Sequence, residues 1–283
     1  MKILFLTLLI SAASALQAQY FYNDIIGTSE TNQQMADYRT NKVKTVSATG
    51  FDYKGVKASD YSEYQEVKEN GFALRYVRIN NQIKTNSFYR FNTEGKIISI
   101  TDSSADIVNK TNYEYNEKGM IIKVENVSAD SSGNFNNTET HYWYYQENNK
   151  PKKMLRVINN SGALIETDSL EVKLILDEDG NPAEERTYKK GKETGYLYYY
   201  FDDKNRLTDI VRYNSKVKKL LPEIMFEYDV KDRVIQKITT TSSLSLGYLI
   251  WRYIFNEQGL KTKEALFNNN KELTGKIEYS YTF

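Results

Sequence analysis

Cysteine is absent from the 283 residues, which excludes disulfides, thiolate metal sites, thiol nucleophiles and the lipidated cysteine that tethers a bacterial lipoprotein. Histidine occurs once, at His141. Without cysteine or a second histidine, a catalytic zinc site of the ordinary kind cannot be assembled, and a Ser-His-Asp site is disfavoured further by the lack of any Gly-x-Ser-x-Gly elbow. Charge of one sign is also missing: 38 Lys and Arg face 37 Asp and Glu, a net +1. No strong field is therefore available to steer nucleic acid. Beyond the first residues, no apolar run is long enough for a spanning helix. Stability has to come from packing and strand pairing.

The N-terminus reads as an address. Lys2 supplies a positive charge, Ile3 to Ile10 a short apolar run, and Ala13-Ser14-Ala15 a small-x-small cleavage signature, with Ala18 as a second site. Ser11, Ser14 and Gln17 interrupt the run before it reaches the roughly 20 residues of a membrane anchor. Residues 1–18 are thus expected to be a signal peptide, and the chain to be periplasmic, cell-surface or extracellular.

What the sequence has in plenty is tyrosine, 24 residues beside 12 Phe and only 3 Pro. Aromatic residues suit pleated, half-buried surfaces, and Tyr keeps a hydroxyl for a polar partner. They recur in a pattern: aromatic-x-aromatic-Asn/Asp-x-x-Gly, then an apolar run, as in Tyr89 to Gly95 before Ile97-Ile98 and Tyr113 to Gly119 before Ile121-Ile122. Weaker copies fall at Trp143 to Asn149, Leu174 to Gly180, Tyr199 to Asn205, Phe226 to Asp232 and Tyr253 to Gly259. Their final turn positions lie 24, 30, 31, 25, 27 and 27 residues apart, a length for two strands and two connections.

The last position of each copy, Gly95, Gly119, Asn149, Gly180, Asn205, Asp232 or Gly259, holds a residue that tolerates positive φ, as a four-residue hairpin loop on a type I turn requires. The first position is Asn or Asp in every copy but that of Gln146, and its side chain can bond the backbone two residues on. Polar connections alternate with these turns, at Asp102 to Asn109, Ala129 to Asn137, Asn159 to Gly162, Lys189 to Lys192, Ser215 to Pro222, Ser242 to Ser245 and Asn268 to Lys271. The spacing predicts an all-β antiparallel meander over 85–283 that ends in a lone strand, Ile277 to Phe283. Within it, alternation places Tyr199 and Phe201 opposite Tyr198 and Tyr200, and sets Val234, Gln236 and Ile238 against Ile235 and Lys237. Before the array, 19–84 is expected to form a cap over its open edge: a short helix over Ser29 to Tyr38 with Ile26, Met35 and Tyr38 on one stripe, then strands at Lys42 to Tyr53 and Gly71 to Lys84, the latter turning at Asn80-Asn81.

Tyr200-Phe201-Asp202-Asp203-Lys204-Asn205-Arg206-Leu207-Thr208 resembles the YD, or RHS, repeats of bacterial exported and surface proteins, and the resemblance extends over Tyr89 to Phe283. Leu174 to Gly180 departs from it in lacking the aromatics. Large relatives wrap such repeats into a shell around a toxin; this chain has too few to enclose a cargo. It is more similar to small secreted Bacteroidetes proteins with such repeats, a resemblance that implies no activity.

Residues of chemical interest have bland explanations. His141 sits in a predicted strand without partners, and Asp177-Glu178-Asp179-Gly180 coincides with a turn and lacks the later ligands of a calcium loop. Trp143, Tyr145, Tyr199, Phe201 and Trp251 lie near equivalent strand ends and are the candidate ligand-binding aromatics, for stacking on sugar or peptide, unless they serve as cross-strand pairs. The expectation is an exported structural or binding protein of the cell envelope, not an enzyme, with no cofactor or metal and with an envelope polysaccharide or surface protein as partner. Two alternatives stand beside it. One is an outer-membrane β-barrel, suggested by the terminal strand and countered by Lys261, Lys263 and Ala265 on one face and Thr262 and Glu264 on the other. The second is a polysaccharide-acting enzyme with paired carboxylates, which would require two of them to converge in a cleft.

Overall fold

In the computed structural model, the residues described are 19–104, 106–130, 136–161, 166–215, 217–240 and 247–283. The expected leader and the Ser242 to Ser245 connection lie outside them. Each of the seven anticipated turns closes in the same way. The φ angles at the final position are +82° at Gly95, +75° at Gly119, +67° at Asn149, +80° at Gly180, +59° at Asn205, +62° at Asp232 and +83° at Gly259. At the head of the turn, Asn or Asp accepts the N–H groups two and four residues on: Asn92 Oδ1 lies 3.0 Å from Glu94 N and 2.9 Å from Lys96 N, and Asp202 and Asp229 repeat the geometry. Where Gln146 breaks the pattern, Asn148 Oδ1 accepts from Lys150 N instead.

Around these turns the described residues form eighteen strands: β1 (Thr45–Asp52), β2 (Lys57–Lys68), β3 (Ala73–Asn80), β4 (Ile83–Phe91), β5 (Ile97–Ser104) and β6 (Ile107–Tyr115). There follow β7 (Ile121–Asp130), β8 (Asn136–Tyr145), β9 (Pro151–Ser161), β10 (Glu166–Leu176), β11 (Pro182–Lys189) and β12 (Lys192–Phe201). The last six are β13 (Leu207–Asn214), β14 (Lys219–Tyr228), β15 (Val234–Thr240), β16 (Tyr248–Phe255), β17 (Lys261–Phe267) and β18 (Leu273–Thr282). Every strand pairs antiparallel with its neighbours in sequence, and β1 pairs with both β2 and β18, from Thr45 opposite Thr282 to Asp52 opposite Gly275. The sheet is a closed ring. The expected meander is therefore a barrel with no free edge, and β1 to β4 are members of its wall rather than a cover over an edge.

All seven turns are followed by a register shift, as between Arg90/Phe91 and Ser99/Ile97 or between Tyr200/Phe201 and Asp209/Leu207. One residue after each turn is left over, the bulge that accompanies a left-handed turn end. Simple alternation fails at that point. Val234 and Lys237 share the inner face, not Val234 and Gln236, and Lys261 turns inward to Glu264 while Lys263 and Ala265 stay outside.

The repeats are hooked together by the second aromatic of the motif. Where it is Tyr, its hydroxyl donates to a backbone carbonyl just after the previous turn: Tyr115 to Ile97 O at 2.7 Å, Tyr145 to Ile121 O at 2.7 Å, Tyr228 to Leu207 O at 2.6 Å and Tyr281 to Lys261 O at 2.6 Å. Arg206 and Arg233 add a second tie. Each grips the Asp at the head of its own turn and lies over an aromatic of the next repeat, Tyr228 at 4.7 Å and Phe255 at 4.6 Å.

The ring is filled from within by the N-terminal segment. A π-helical stretch, Phe21–Ile26, runs directly into an α-helix, α1 (Gly27–Thr40). Phe21 and Tyr22 pack against Trp143, Leu197, Tyr199 and Phe226, and Met35 and Tyr38 against Val46, Leu74, Phe91 and Ile97. These wall residues come from strands all around the ring, so the helix is a plug. Its C-terminal end lies at the tight turns, where Arg39 donates to Gly71 O at 3.1 Å and Asn41 to Gln258 O at 3.3 Å.

Candidate functional site

All five candidate aromatics point inward, a correction to the reading of them as an exposed row. Trp143 and Tyr199 are 3% exposed. Tyr145 and Phe201 pack against the same core, and Trp251 lies on the inner face between Lys237 and Leu266 in the register. Tyr199 and Trp143 touch the plug directly: Phe21 meets Tyr199 edge-on at 5.5 Å, and Trp143 Nε1 donates to Asp24. Their strand neighbours face out, among them Tyr142, Tyr144 and Tyr200, as the alternation of Tyr199 and Phe201 with Tyr198 and Tyr200 required.

Charge covers the outer wall, near the tight turns and at mid-strand alike. Lys123 bonds Glu114 at 3.1 Å and Glu125 at 3.0 Å across β6 and β7, Arg186 bonds Glu184 at 2.6 Å on β11, and Lys276 and Lys263 flank Glu278 at 2.7 and 3.5 Å. Lys153 and Lys173 both lie 3.6 Å from Glu171. A single Lys or Arg on the lipid face at mid-bilayer costs about 2–4 kcal/mol. This wall carries such groups on strand after strand.

Inside, the plug is tied to the wall by polar groups as well as apolar ones. Glu185, wholly buried, accepts the N–H of Tyr20 at 3.2 Å and of Phe21 at 2.9 Å, so a carboxylate caps the start of the helix. The Tyr199 hydroxyl donates to the same carboxylate at 2.8 Å. Burial raises the Glu185 pKa against these three bonds. Gln19 donates to Glu223 at 2.6 Å, and Glu223 pairs with Arg212. Farther along α1, Asn32 accepts the N–H of Ile97 at 2.8 Å and Tyr38 donates to Gln65 at 3.0 Å.

His141, bland in sequence, is the centre of this network. Its Nδ1 lies 2.7 Å from Asp24 of the plug and its Nε2 2.8 Å from Glu139 of the wall. Trp143 Nε1 donates to the same Asp24 oxygen at 2.9 Å, Arg156 grips Glu139 at 2.6 Å, and Tyr20 meets the imidazole edge-on at 5.2 Å. Burial alone would lower the His141 pKa, but Asp24 and Glu139 outweigh it and hold the ring up at about 9. Glu139 is held down at about 2, burial being overcome by hydrogen bonds from His141 and Arg156. The imidazolium thus bridges plug and wall. Asp24 and Glu139 do converge, but the ring occupies the space between them, where an acid and base pair would need sugar and water.

Beyond the plug the inner face turns polar. Arg78 joins Glu63 at 2.9 Å and Tyr76 at 2.7 Å, and Tyr61 donates to Glu63 at 2.5 Å. On the face shared with Glu139, Asn126 donates to Thr111 at 3.3 Å and Ser128 to Asn109 at 2.5 Å. Among the described residues, four buried polar atoms of the inner wall have no protein partner: Asn137 Oδ1, Arg156 Nε, Thr187 Oγ1 and Thr239 Oγ1. The acidic run Asp177 to Gly180 is a turn, with Asp177 Oδ1 accepting Asn181 N at 2.8 Å.

Nothing in the sequence marked the plug's polar contacts, because each partner is remote: Asp24 and His141 are 117 residues apart, Phe21 and Glu185 164. The one signal was a lone histidine in an aromatic strand.

No protein-family model matches the chain, and no curated protein matches it. Among solved structures, it is similar to a porin-like protein from Bacteroides uniformis, with 9% identity and a TM-score of 0.37 over 85% of this chain and 98% of the other. A porin-like protein from Bacteroides vulgatus is similar at 11% identity and a TM-score of 0.31, with the same coverages. A structure of TcdB2-TccC3-TEV matches 78% of this chain and 16% of its own length, at 9% identity and a TM-score of 0.29.

Proposed function

We propose that the chain is an exported, non-enzymatic binding protein of the cell envelope, a barrel with water outside and a polar inner chamber for a hydroxyl-rich ligand, such as a segment of envelope polysaccharide. The observation that supports this is the direction of the side chains. Surface ion pairs such as Lys123–Glu114 face out, apolar and aromatic groups grip the plug, and Thr, Ser and Asn line the wall beyond it beside the inward Arg78–Glu63 and Arg156–Glu139 pairs, with the Thr187 and Thr239 hydroxyls left without protein partners among the described residues. A neutral ligand with many hydroxyls suits such a lining, since it donates and accepts without bringing in a charge to be desolvated. The repeats are read as YD-like units that make the wall.

An outer-membrane barrel would share the ring but not this wall. Osmotic shock of cells expressing the full chain is expected to release it without detergent, with no change in gel mobility on heating. Isothermal titration with envelope glycan fragments is expected to give saturable binding that Asn126→Leu weakens. Detergent-dependent extraction with heat-shifted mobility would favour the membrane reading, and a glycan-inert soluble barrel would remove the ligand assignment.

A further inference from the structure

Three acidic side chains are buried among the described residues: Asp24, Glu63 and Glu185. Asp24 meets His141 and Glu63 meets Arg78. Glu185, at 0% exposure the most deeply buried, meets only neutral donors: two backbone N–H groups and the Tyr199 hydroxyl. A carboxylate so placed is costly unless a positive charge accompanies it. The helix start contributes the equivalent of about half a charge, which leaves the balance incomplete.

The backbone nitrogen that precedes these two in the chain belongs to Gln19. Its carbonyl accepts Asn23 N at 2.8 Å, so Gln19 already stands in the first helical turn. N–H groups of a first turn point the same way, out of the helix start, and those of Tyr20 and Phe21 point at Glu185. Gln19 itself is 8% exposed, fixed by its side chain to Glu223. Ala18, the residue before it, is one of the two small residues that the sequence offers as a leader cleavage site.

We propose that the Ala18–Gln19 bond is the processing site, and that the α-ammonium released on Gln19 is the counter-ion of Glu185. A leader peptidase adds water across that bond; the new carboxylate departs with the leader and the ammonium stays on the plug. Removal of the leader would then supply the charge that locks the plug in the barrel. This rests on the export reading, and goes beyond it in assigning the site and the role of the new terminus.

The test begins with the full chain expressed in a Gram-negative host. Intact mass and N-terminal sequencing of the exported protein are expected to give a free amine on Gln19. Cleavage after Ala15, or a Gln19 terminus cyclised with loss of ammonia, would overturn the counter-ion while leaving export intact. An uncut cytoplasmic chain would sink both. A double-mutant cycle reads the interaction itself. A chain beginning at Gln19 is compared with one bearing Ala18 in front of it, each with Glu185 and with Glu185→Gln. The extra residue is expected to lower Tm by about 2–4 °C where Glu185 is kept, the shift that loss of one modest interaction makes in a chain of this size. In the Glu185→Gln pair it is expected to have little effect, because no carboxylate is left to lose its counter-ion. Equal falls in both backgrounds would overturn the proposal.

Discussion

Replacing His141 by Gln tests the bridge between plug and wall, and its size follows from the titration of the ring. In the fold the His141 pKa is raised to about 9 from an ordinary 6.5, through Asp24 on the plug and Glu139 on its own strand. Arg156 opposes them from β9 through Glu139, and Tyr20 and Trp143 complete the surround without charge. A folded pKa above the unfolded one means that the native state binds the proton more tightly. The stabilisation is therefore complete below about pH 6.5 and lost as pH rises through about 9. At roughly 1.4 kcal/mol per pKa unit, it amounts to about 3 kcal/mol. Urea unfolding followed by tryptophan fluorescence, at pH 6 and pH 10, gives the difference in stability for each chain. The native chain should lose about 3 kcal/mol more than His141→Gln over that interval, because other groups titrate in both. Equal losses would show that the ring does not carry the bridge.

Other predictions concern the wall. Gly259→Ala should lower stability by about 1–2 kcal/mol, the cost of a left-handed backbone at φ +83° with no clash for the added Cβ, whereas exposed Gln258→Ala should be near neutral by thermal melting. Tyr199→Ala should cost about 3–5 kcal/mol through lost packing on Phe21 and the lost bond to Glu185, and its exposed neighbour Tyr200→Ala under about 1, by chemical denaturation. Comparable losses at 199 and 200 would mean that the facing is wrong. Trp143→Phe should cost about 1–2 kcal/mol, because the Asp24 carboxylate loses a buried donor while the ring is largely kept.

The turns were legible because positive φ restricts the choice of residue so strongly that Gly95, Asn205 and Asp232 announce themselves. The helix was legible too: α1 spans Gly27–Thr40 where Ser29 to Tyr38 was expected, with Met35 and Tyr38 buried as placed. Strand β4 begins at Ile83, just past a turn whose Asn81 and Gln82 both have positive φ. Closure of the ring was not legible, since β1 and β18 meet across most of the chain and pairing of that range leaves no local mark. Nor were the bulges, because the alternation of Val234, Gln236 and Ile238 looks regular until one residue is left out of the ladder. A lysine also hides a turn: Lys271, at φ +61°, closes Asn268 to Glu272 in the manner of the glycine turns. The inward facing of Trp143, Tyr145, Tyr199, Phe201 and Trp251 follows from the plug, which their strand positions alone did not reveal.

Closure of the barrel can be measured directly, because a chain without cysteine accepts a single engineered disulfide. Ser47 on β1 and Ser280 on β18 are exposed and directly opposed, at the separation of about 4.5–5.5 Å that antiparallel partners keep and a disulfide spans. In Ser47→Cys/Ser280→Cys, mild oxidation of the folded protein should form an intramolecular bond, seen as a reducible mobility shift, with circular dichroism unchanged. Free thiols that persist in the folded monomer, or bonds formed only between chains, would contradict a closed ring.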